Sequence, residues 1–330
     1  MKAAVLTRCR HIEIEQRPRP IPGPKDVCIR LSVAGICGSD HGLYTGGIAV
    51  ALPVVPGHEA VGRIVNVGHA VTGVEIGQRV TIQPNLGCGH CTLCRAGRIN
   101  ICQDKVRIGL DRDGVFADQV CVPADYVWPI PDDLSDEAAA LVEPLAVAVH
   151  AAAHAAPQAK DRVLVLGAGV IGLLTMQLAV LAGATVTACD LAPQRLAIAQ
   201  KLGAAQAIMP YDAAAESNQY DLIYETCGAP SALEQSIAWA APGAKIVLVG
   251  LAHHAHPLLS TPIVRKELQI LGSIIYTNEF PQAIELLRRG RVQTQALVTN
   301  RIRPEQLDQA LQDFSAPDRI KTLVQLNDGD

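Results

Sequence analysis

Between Val163 and Cys189 the chain runs for 27 residues without a charge, and few folds can use such a stretch. On length alone it would cross a bilayer as a helix. Three glycines, Gly167, Gly169 and Gly172, interrupt it. A short aliphatic run opens it, and Thr185-Val-Thr-Ala-Cys189 closes it before Asp190. That order reads as strand, turn, helix, strand, the pattern of elements buried in a parallel sheet. No membrane span is expected from it.

The three glycines carry a specific physical reading. Gly167 permits a tight turn, Gly169 lets the backbone approach a pyrophosphate, and Gly172 lets helix and strand pack closely. The helix that opens at Val170 and Ile171 presents free N–H groups to phosphate. Glycine-rich turns also occur for purely structural reasons. Here an acid follows, Asp190, 21 residues past Gly169, placed to accept hydrogen bonds from the adenosine ribose hydroxyls and to repel a 2'-phosphate. NAD is therefore favoured over NADP. Arg195 keeps NADP in view, because an arginine there can hold the phosphate, although a solvated residue in the first helical turn is the preferred reading of it.

Around this loop the chain alternates aliphatic strands with Ala/Leu/Gln-rich helices, as a doubly wound α/β sheet requires. Candidate strands are Arg162–Leu166, Thr185–Cys189, Ala205–Met209, Leu222–Glu225, Ala244–Val249 and Leu268–Gly272, enough for a complete six-stranded parallel sheet. An amphipathic helix is expected over Pro281–Arg289. Residues before this region are rich in Gly, Pro and Val, with short runs bounded by turn residues, which predicts an irregular β-rich domain. The expected organisation is a first domain over 1–148, a nucleotide-binding domain over 149–289, and a segment 290–330 that returns to pack on the first. With 330 residues, two domains of ordinary size are the natural expectation.

Only 18% of the residues are charged and the net charge is −4, which gives no electrostatic reason to expect nucleic acid. A small molecule is the expected partner. Met1 to Gln16 is interrupted by Arg8, Arg10, Glu13 and Glu15 and does not read as a signal peptide. The ten cysteines are accordingly expected as reduced thiols, in the cytoplasm.

Cys88, Cys91, Cys94 and Cys102 form C-x2-C-x2-C-x7-C in a Gly-rich loop. Four thiolates on one short loop can close a tetrahedron around zinc without help from the rest of the fold. An iron-sulfur cluster or idle thiols are the alternatives. Such a closed site would hold a lobe in shape and do no chemistry, and His90 within it is read as exposed. A second constellation is dispersed: Cys37 in Gly-Ile-Cys-Gly-Ser-Asp, His58-Glu59 in Pro-Gly-His-Glu-Ala-Val-Gly, and Glu143 in Leu-Val-Glu-Pro-Leu. Spacing alone does not separate these from a core cysteine, a turn histidine and surface carboxylates.

Taken together and in this order, these segments resemble the zinc-containing medium-chain dehydrogenase/reductase superfamily, and within it the sorbitol and other polyol dehydrogenase branch. The resemblance runs from Met1 to about Leu326 and includes Glu143-Pro-Leu-Ala-Val-Ala-Val-His150 and Lys266-Glu-Leu-Gln-Ile-Leu-Gly-Ser273. It implies a GroES-like catalytic domain joined to a Rossmann domain, with the active site in the cleft between them. Cys37 and His58 match the family's catalytic zinc ligands. Glu59 matches a residue that binds the metal or supports it, and Glu143 falls where polyol-type enzymes carry glutamate in place of a second cysteine. Ser39 matches the hydroxyl that relays the substrate proton. Zinc as a Lewis acid would lower the pKa of a substrate hydroxyl, and the hydride would pass to NAD.

The implied reaction is oxidation of a secondary hydroxyl of a small polyol or sugar alcohol to a ketone. Threonine-type, simple alcohol and phosphorylated polyol substrates remain alternatives, as does a non-catalytic NAD-binding or redox-sensing protein. The zinc-free quinone reductase branch usually lacks both cysteine sets and is disfavoured. One departure from the family pattern is His41, which stands one place early, with Gly42 where the relatives' histidine belongs. On a strand or turn, that shift would reverse the side chain. The resemblance also implies a homodimer or homotetramer paired through Leu268–Gly272.

Overall fold

In the computed structural model, residues 1–211, 217–252, 255 and 257–327 are described. The chain divides into two compact units. One comprises Met1–Glu143, Phe280–Gly290 and Val298–Asp330, and the other Pro144–Glu279 and Arg291–Leu297.

The first unit is built on a seven-stranded sheet. Its strands lie in the order Val298–Ile302, Lys321–Gln325, Asp26–Gly35, Glu59–Val67, Arg79–Ile82 and Val127–Pro129, with Gln119–Pro123 also pairing to Asp26–Gly35. Pairing is antiparallel except between Val298–Ile302 and Lys321–Gln325. The sheet contributes to a continuous hydrophobic core that includes Val27, Ile29, Leu31, Ile64, Val80, Ile82 and Phe116. The register matters for the chemistry. Gly35 pairs with Glu59 on one side and with Leu323 on the other, so two strand ends and the final strand meet beside Cys37. The final strand thus returns to the first unit, and the amphipathic helix Phe280–Arg288 belongs there too. Phe280 is fully buried and stacks on Trp128 at 6.0 Å, and Arg288 Nε pairs with Asp133 at 3.1 Å. The helix groups with the first unit, where its buried face finds its partners, while Arg291–Leu297 groups with the second.

Register places Cys28 and Cys121 opposite one another on neighbouring strands, both buried, with Cα atoms 4.1 Å apart and their sulfurs in contact. The other eight cysteines are free.

The second unit is a six-stranded, all-parallel sheet in the order Gln206–Ile208, Thr185–Cys189, Arg162–Leu166, Tyr220–Glu225, Ala240–Leu248, Gln269–Gly272. Each predicted strand is present, with ends shifted by a few residues. The uncharged stretch resolves into Arg162–Leu166, the helix Val170–Leu181 and Thr185–Cys189. No helix among the described residues is long and apolar enough to cross a membrane.

Close strand approach in the first unit rests on Gly62, opposite Leu31 in the register. A Cβ there would sit 2.2 Å from the Arg30 carbonyl oxygen, a backbone atom that cannot swing aside. Gly62→Ala is expected to lower stability by about 2–3 kcal/mol, read as a lower urea midpoint. An unchanged midpoint would contradict the register.

Candidate metal centres and nucleotide site

Cys37 ends the first long strand's excursion and caps the helix Gly38–Tyr44. Its backbone N–H donates to Asp40 Oδ2 at 2.8 Å. The other oxygen of Asp40 accepts the Gly57 N–H at 3.0 Å and lies 3.5 Å from His58 Nδ1. Asp40 is 1% exposed. One buried carboxylate therefore ties the cysteine-bearing turn to the histidine-bearing turn, and the ligand atoms of Cys37, His58 and Glu59 lie within 4.8 Å of one another. Burial disfavours the His58 imidazolium, but the charges of Asp40 and Cys37 outweigh it and raise the pKa well above the ordinary histidine value. A cation is wanted at this point. A sulfur, an imidazole and a carboxylate, with their oriented support, fit zinc.

Glu59 is supported from the far side. The ammonium of Lys321, fully buried, pairs with Glu59 Oε2 and donates to the Ile36 carbonyl at 2.9 Å. Burial alone would depress the Lys321 pKa, but Glu59, with contributions from Cys37 and Glu143, raises it. Gly35 makes this possible: a Cβ there would meet Glu59 Oε2 at 2.1 Å and Lys321 Cε at 3.0 Å. Glu143 is buried in the first turn of the helix Val142–Ala155. Its carboxylate is not among the three converging donors, and its charge acts on Lys321 instead.

Ser39 Oγ lies 3.5 Å from His58 Nε2. His41 is turned elsewhere. Its Nδ1 meets the Leu311 carbonyl at 2.9 Å and its ring stacks on Phe314 at 5.1 Å. The segment is helical rather than extended, so a one-residue shift turns the side chain by roughly 100° instead of reversing it.

The four-cysteine loop is compact. Cys88 and Cys94 sulfurs are 3.9 Å apart, as are those of Cys91 and Cys102. A zinc tetrahedron with Zn–S near 2.3 Å has edges of about 3.8 Å. The Cys91 N–H points at Cys88 Sγ and the Cys94 N–H at Cys91 Sγ, both at 3.4 Å. Backbone hydrogen bonds at His90 and Cys91 draw the Cys88 thiol down to about 6. Cys94, despite a backbone bond at Gly89, is pushed up to about 12 by desolvation and the neighbouring sulfurs. Thiolates at this spacing repel one another unless a cation sits among them, so this set also fits zinc.

In the second unit each loop glycine has the geometry its position requires. Gly167 has φ +96°, which a side chain would strain. A Cβ on Gly169 would meet nothing within 4 Å, leaving its surface open, and one on Gly172 would lie 1.8 Å from the Gly167 carbonyl. Gly169 caps the helix that Val170 and Ile171 begin, without a side-chain cap. Asp190 Oδ2 accepts the Ala168 N–H at 2.7 Å and its Oδ1 the Ala192 N–H at 2.8 Å, fixing the carboxylate beside the loop. Arg195 corrects the reading of a solvated residue. It is only 22% exposed and reaches within 4.0 Å of Asp190.

Asp40, Lys321 and Thr226 were not singled out by sequence reasoning as working residues. Thr226 Oγ1 donates to Leu166 and Gly167 carbonyls, pinning the loop. Asp40 stood in the quoted motif, whereas Lys321 is brought in only by the strand register. Removing its charge while leaving the Glu59 carboxylate buried should cost about 3–5 kcal/mol. In metal-free protein unfolded with urea, Lys321→Met should be destabilised by that order, and Lys321→Met with Glu59→Gln should recover most of it. Equal losses in both would contradict the pairing.

Residues 23–132 match the family description "Alcohol dehydrogenase GroES-like domain" and residues 170–289 match "Zinc-binding dehydrogenase". Sorbitol dehydrogenase of Bacillus subtilis (strain 168) is 37% identical, covering 94% of this chain and 93% of that protein. Among solved structures, a zinc-binding dehydrogenase from Sinorhizobium meliloti 1021 bound to NADP superposes with TM-score 0.94 at 32% identity, covering 98% of both chains. A short chain alcohol dehydrogenase (rspB) from E. coli CFT073 complexed with NADH gives 0.92 at 31% identity, covering 99% of both. The chain belongs to the zinc-containing medium-chain dehydrogenase/reductase superfamily, in its polyol dehydrogenase-like branch, and is a zinc-type dehydrogenase.

Proposed function

We propose that the protein oxidises a secondary hydroxyl of a small polyol or sugar alcohol to the ketone and passes the hydride to NAD. The observation that carries this reading is the convergence of Cys37, His58 and Glu59, buttressed by Asp40 and Lys321. In this reading those three donors hold the catalytic zinc. Glu143, buried and already acting on Lys321, is the carboxylate that joins them. Cys88, Cys91, Cys94 and Cys102 hold the structural zinc. When bound, zinc supplies a Lewis acid that brings a hydroxyl's pKa toward neutrality, and NAD supplies the hydride acceptor.

The chain's own groups do the rest. Asp40 fixes the His58 ring and the Cys37 turn, so that the donors need no reorganisation. Ser39 Oγ accepts the proton of the substrate hydroxyl as it releases its own to water, without His41, whose ring is anchored at Leu311. Lys321 holds the Glu59 carboxylate in place. The open surface at Gly169 and the N-terminus at Val170 and Ile171 receive the pyrophosphate. Asp190 accepts the ribose hydroxyls and keeps Arg195 engaged, which favours NAD. A dimer is supported by the sheet-edge position of Gln269–Gly272 and by exposed Leu258, Leu259 and Val264 nearby in the chain, and sedimentation velocity reads it directly.

Three outcomes are expected. The purified protein should carry about two zinc ions per chain and reduce NAD with polyols in a panel that includes threonine and simple alcohols. Cys37→Ala should keep about one zinc and lose activity by at least ~10³-fold. Two retained ions in the variant would contradict the ligand assignment, and no turnover on any alcohol would contradict the reaction. Asp190→Ala should lower kcat/KM for NAD by roughly 10–100-fold while relaxing discrimination against NADP. Unchanged preference would contradict its role.

A further inference from the structure

Among the described residues, one more set of donors converges beside the four-cysteine loop and shares Cys88 with it. The ligand atoms of Cys88, His90 and Asp104 lie within 4.8 Å of one another. His90 and Asp104 are exposed, and Cys88 is half-buried. The three come together because the knuckle Cys88–Cys91 brings His90 over its own start, while the turn after Cys102 carries Asp104 back to the same rim. His90 Nδ1 meets the Cys88 carbonyl at 2.9 Å. That is how a metal-ligating imidazole is commonly oriented, with one nitrogen against a carbonyl and the other left for the ion. Asp104 is not spent on an ion pair among the described residues. The ammonium of its neighbour Lys105 is turned to the Asn100 carbonyl at 2.6 Å.

We propose that Cys88, His90 and Asp104 form a third divalent-metal site, weaker than the four-thiolate site and sharing the Cys88 sulfur with it, through which zinc enters and leaves the lobe. The proposal rests on the reading that Cys88, Cys91, Cys94 and Cys102 hold zinc. A closed four-thiolate shell offers an incoming ion no vacant position, whereas three mixed donors at an exposed rim do. On entry the ion takes the Cys88 thiolate, a His90 nitrogen and an Asp104 oxygen. The bonds to His90 and Asp104 then break as bonds to the sulfurs of Cys91, Cys94 and Cys102 form. Each thiol that ligates gives its proton to water, and Cys88 stays bound throughout. On exit the same steps run backwards. A thiolate bridging two ions permits both sites to be filled together when zinc is abundant.

The test uses the holoenzyme and the double variant His90→Ala, Asp104→Asn. After gel filtration, metal content is measured. Cd(II) is then titrated, and isotopically labelled zinc is exchanged into the lobe and followed by native mass spectrometry. The proposal expects about two tightly held zinc ions in both proteins. A further Cd(II) ion should bind only the wild type, and lobe-zinc exchange should be slower in the variant by on the order of tenfold. Two tight ions with no further Cd(II) in the wild type, or equal Cd(II) uptake in both, would overturn the third site. Equal exchange rates would overturn its role as the port. A wild-type protein whose lobe holds no zinc would overturn the four-thiolate reading, and the proposal with it.

Discussion

The carboxylate of Asp40 accepts the Cys37 N–H with one oxygen and the Gly57 N–H with the other, which also faces His58. The two turns that supply a sulfur and an imidazole are separate in sequence and leave the sheet at different strand ends. A buried, acceptor-only side chain between them ties the two turns into one seat. A buried carboxylate is costly unless its lone pairs are satisfied. Asp40 therefore holds the turns together as strictly as they hold it.

Around that seat the electrostatics are arranged for a cation. Asp40, Glu59 and Glu143 are all buried and belong to the first unit, where the Lys321 ammonium offsets part of their charge. The four-cysteine lobe reaches a similar condition by other means, since its sulfurs sit at the spacing of a tetrahedron's edges. The two centres differ in closure. The lobe gathers its four sulfurs within one loop, whereas the Cys37 group draws its donors from the ends of two strands.

Much of this was legible in the sequence because it is local. The glycine loop, the acid at the end of the second strand and the four cysteines each lie on a short segment whose geometry follows from spacing, and six strands could be placed from their aliphatic runs. What escaped depends on contacts far apart in the chain. Lys321 meets Glu59 only through the register of the final strand against Gly35. Cys28 meets Cys121 by the same kind of pairing. Phe280–Arg288 reads as one more helix of the nucleotide-binding unit until Phe280 is seen against Trp128. The reversal expected of His41 presumes an extended segment. The capping interactions of Cys37 and Asp40 made that segment a helix and turned the ring to Leu311.

Two chemically different zinc centres are proposed for the first unit, and X-ray absorption at the zinc edge of the purified protein distinguishes them. A mixed first shell is expected, with sulfur in excess over nitrogen and oxygen, that becomes all sulfur in Cys37→Ala. An all-sulfur shell in the wild type, or a mixed shell that survives the substitution, would contradict it.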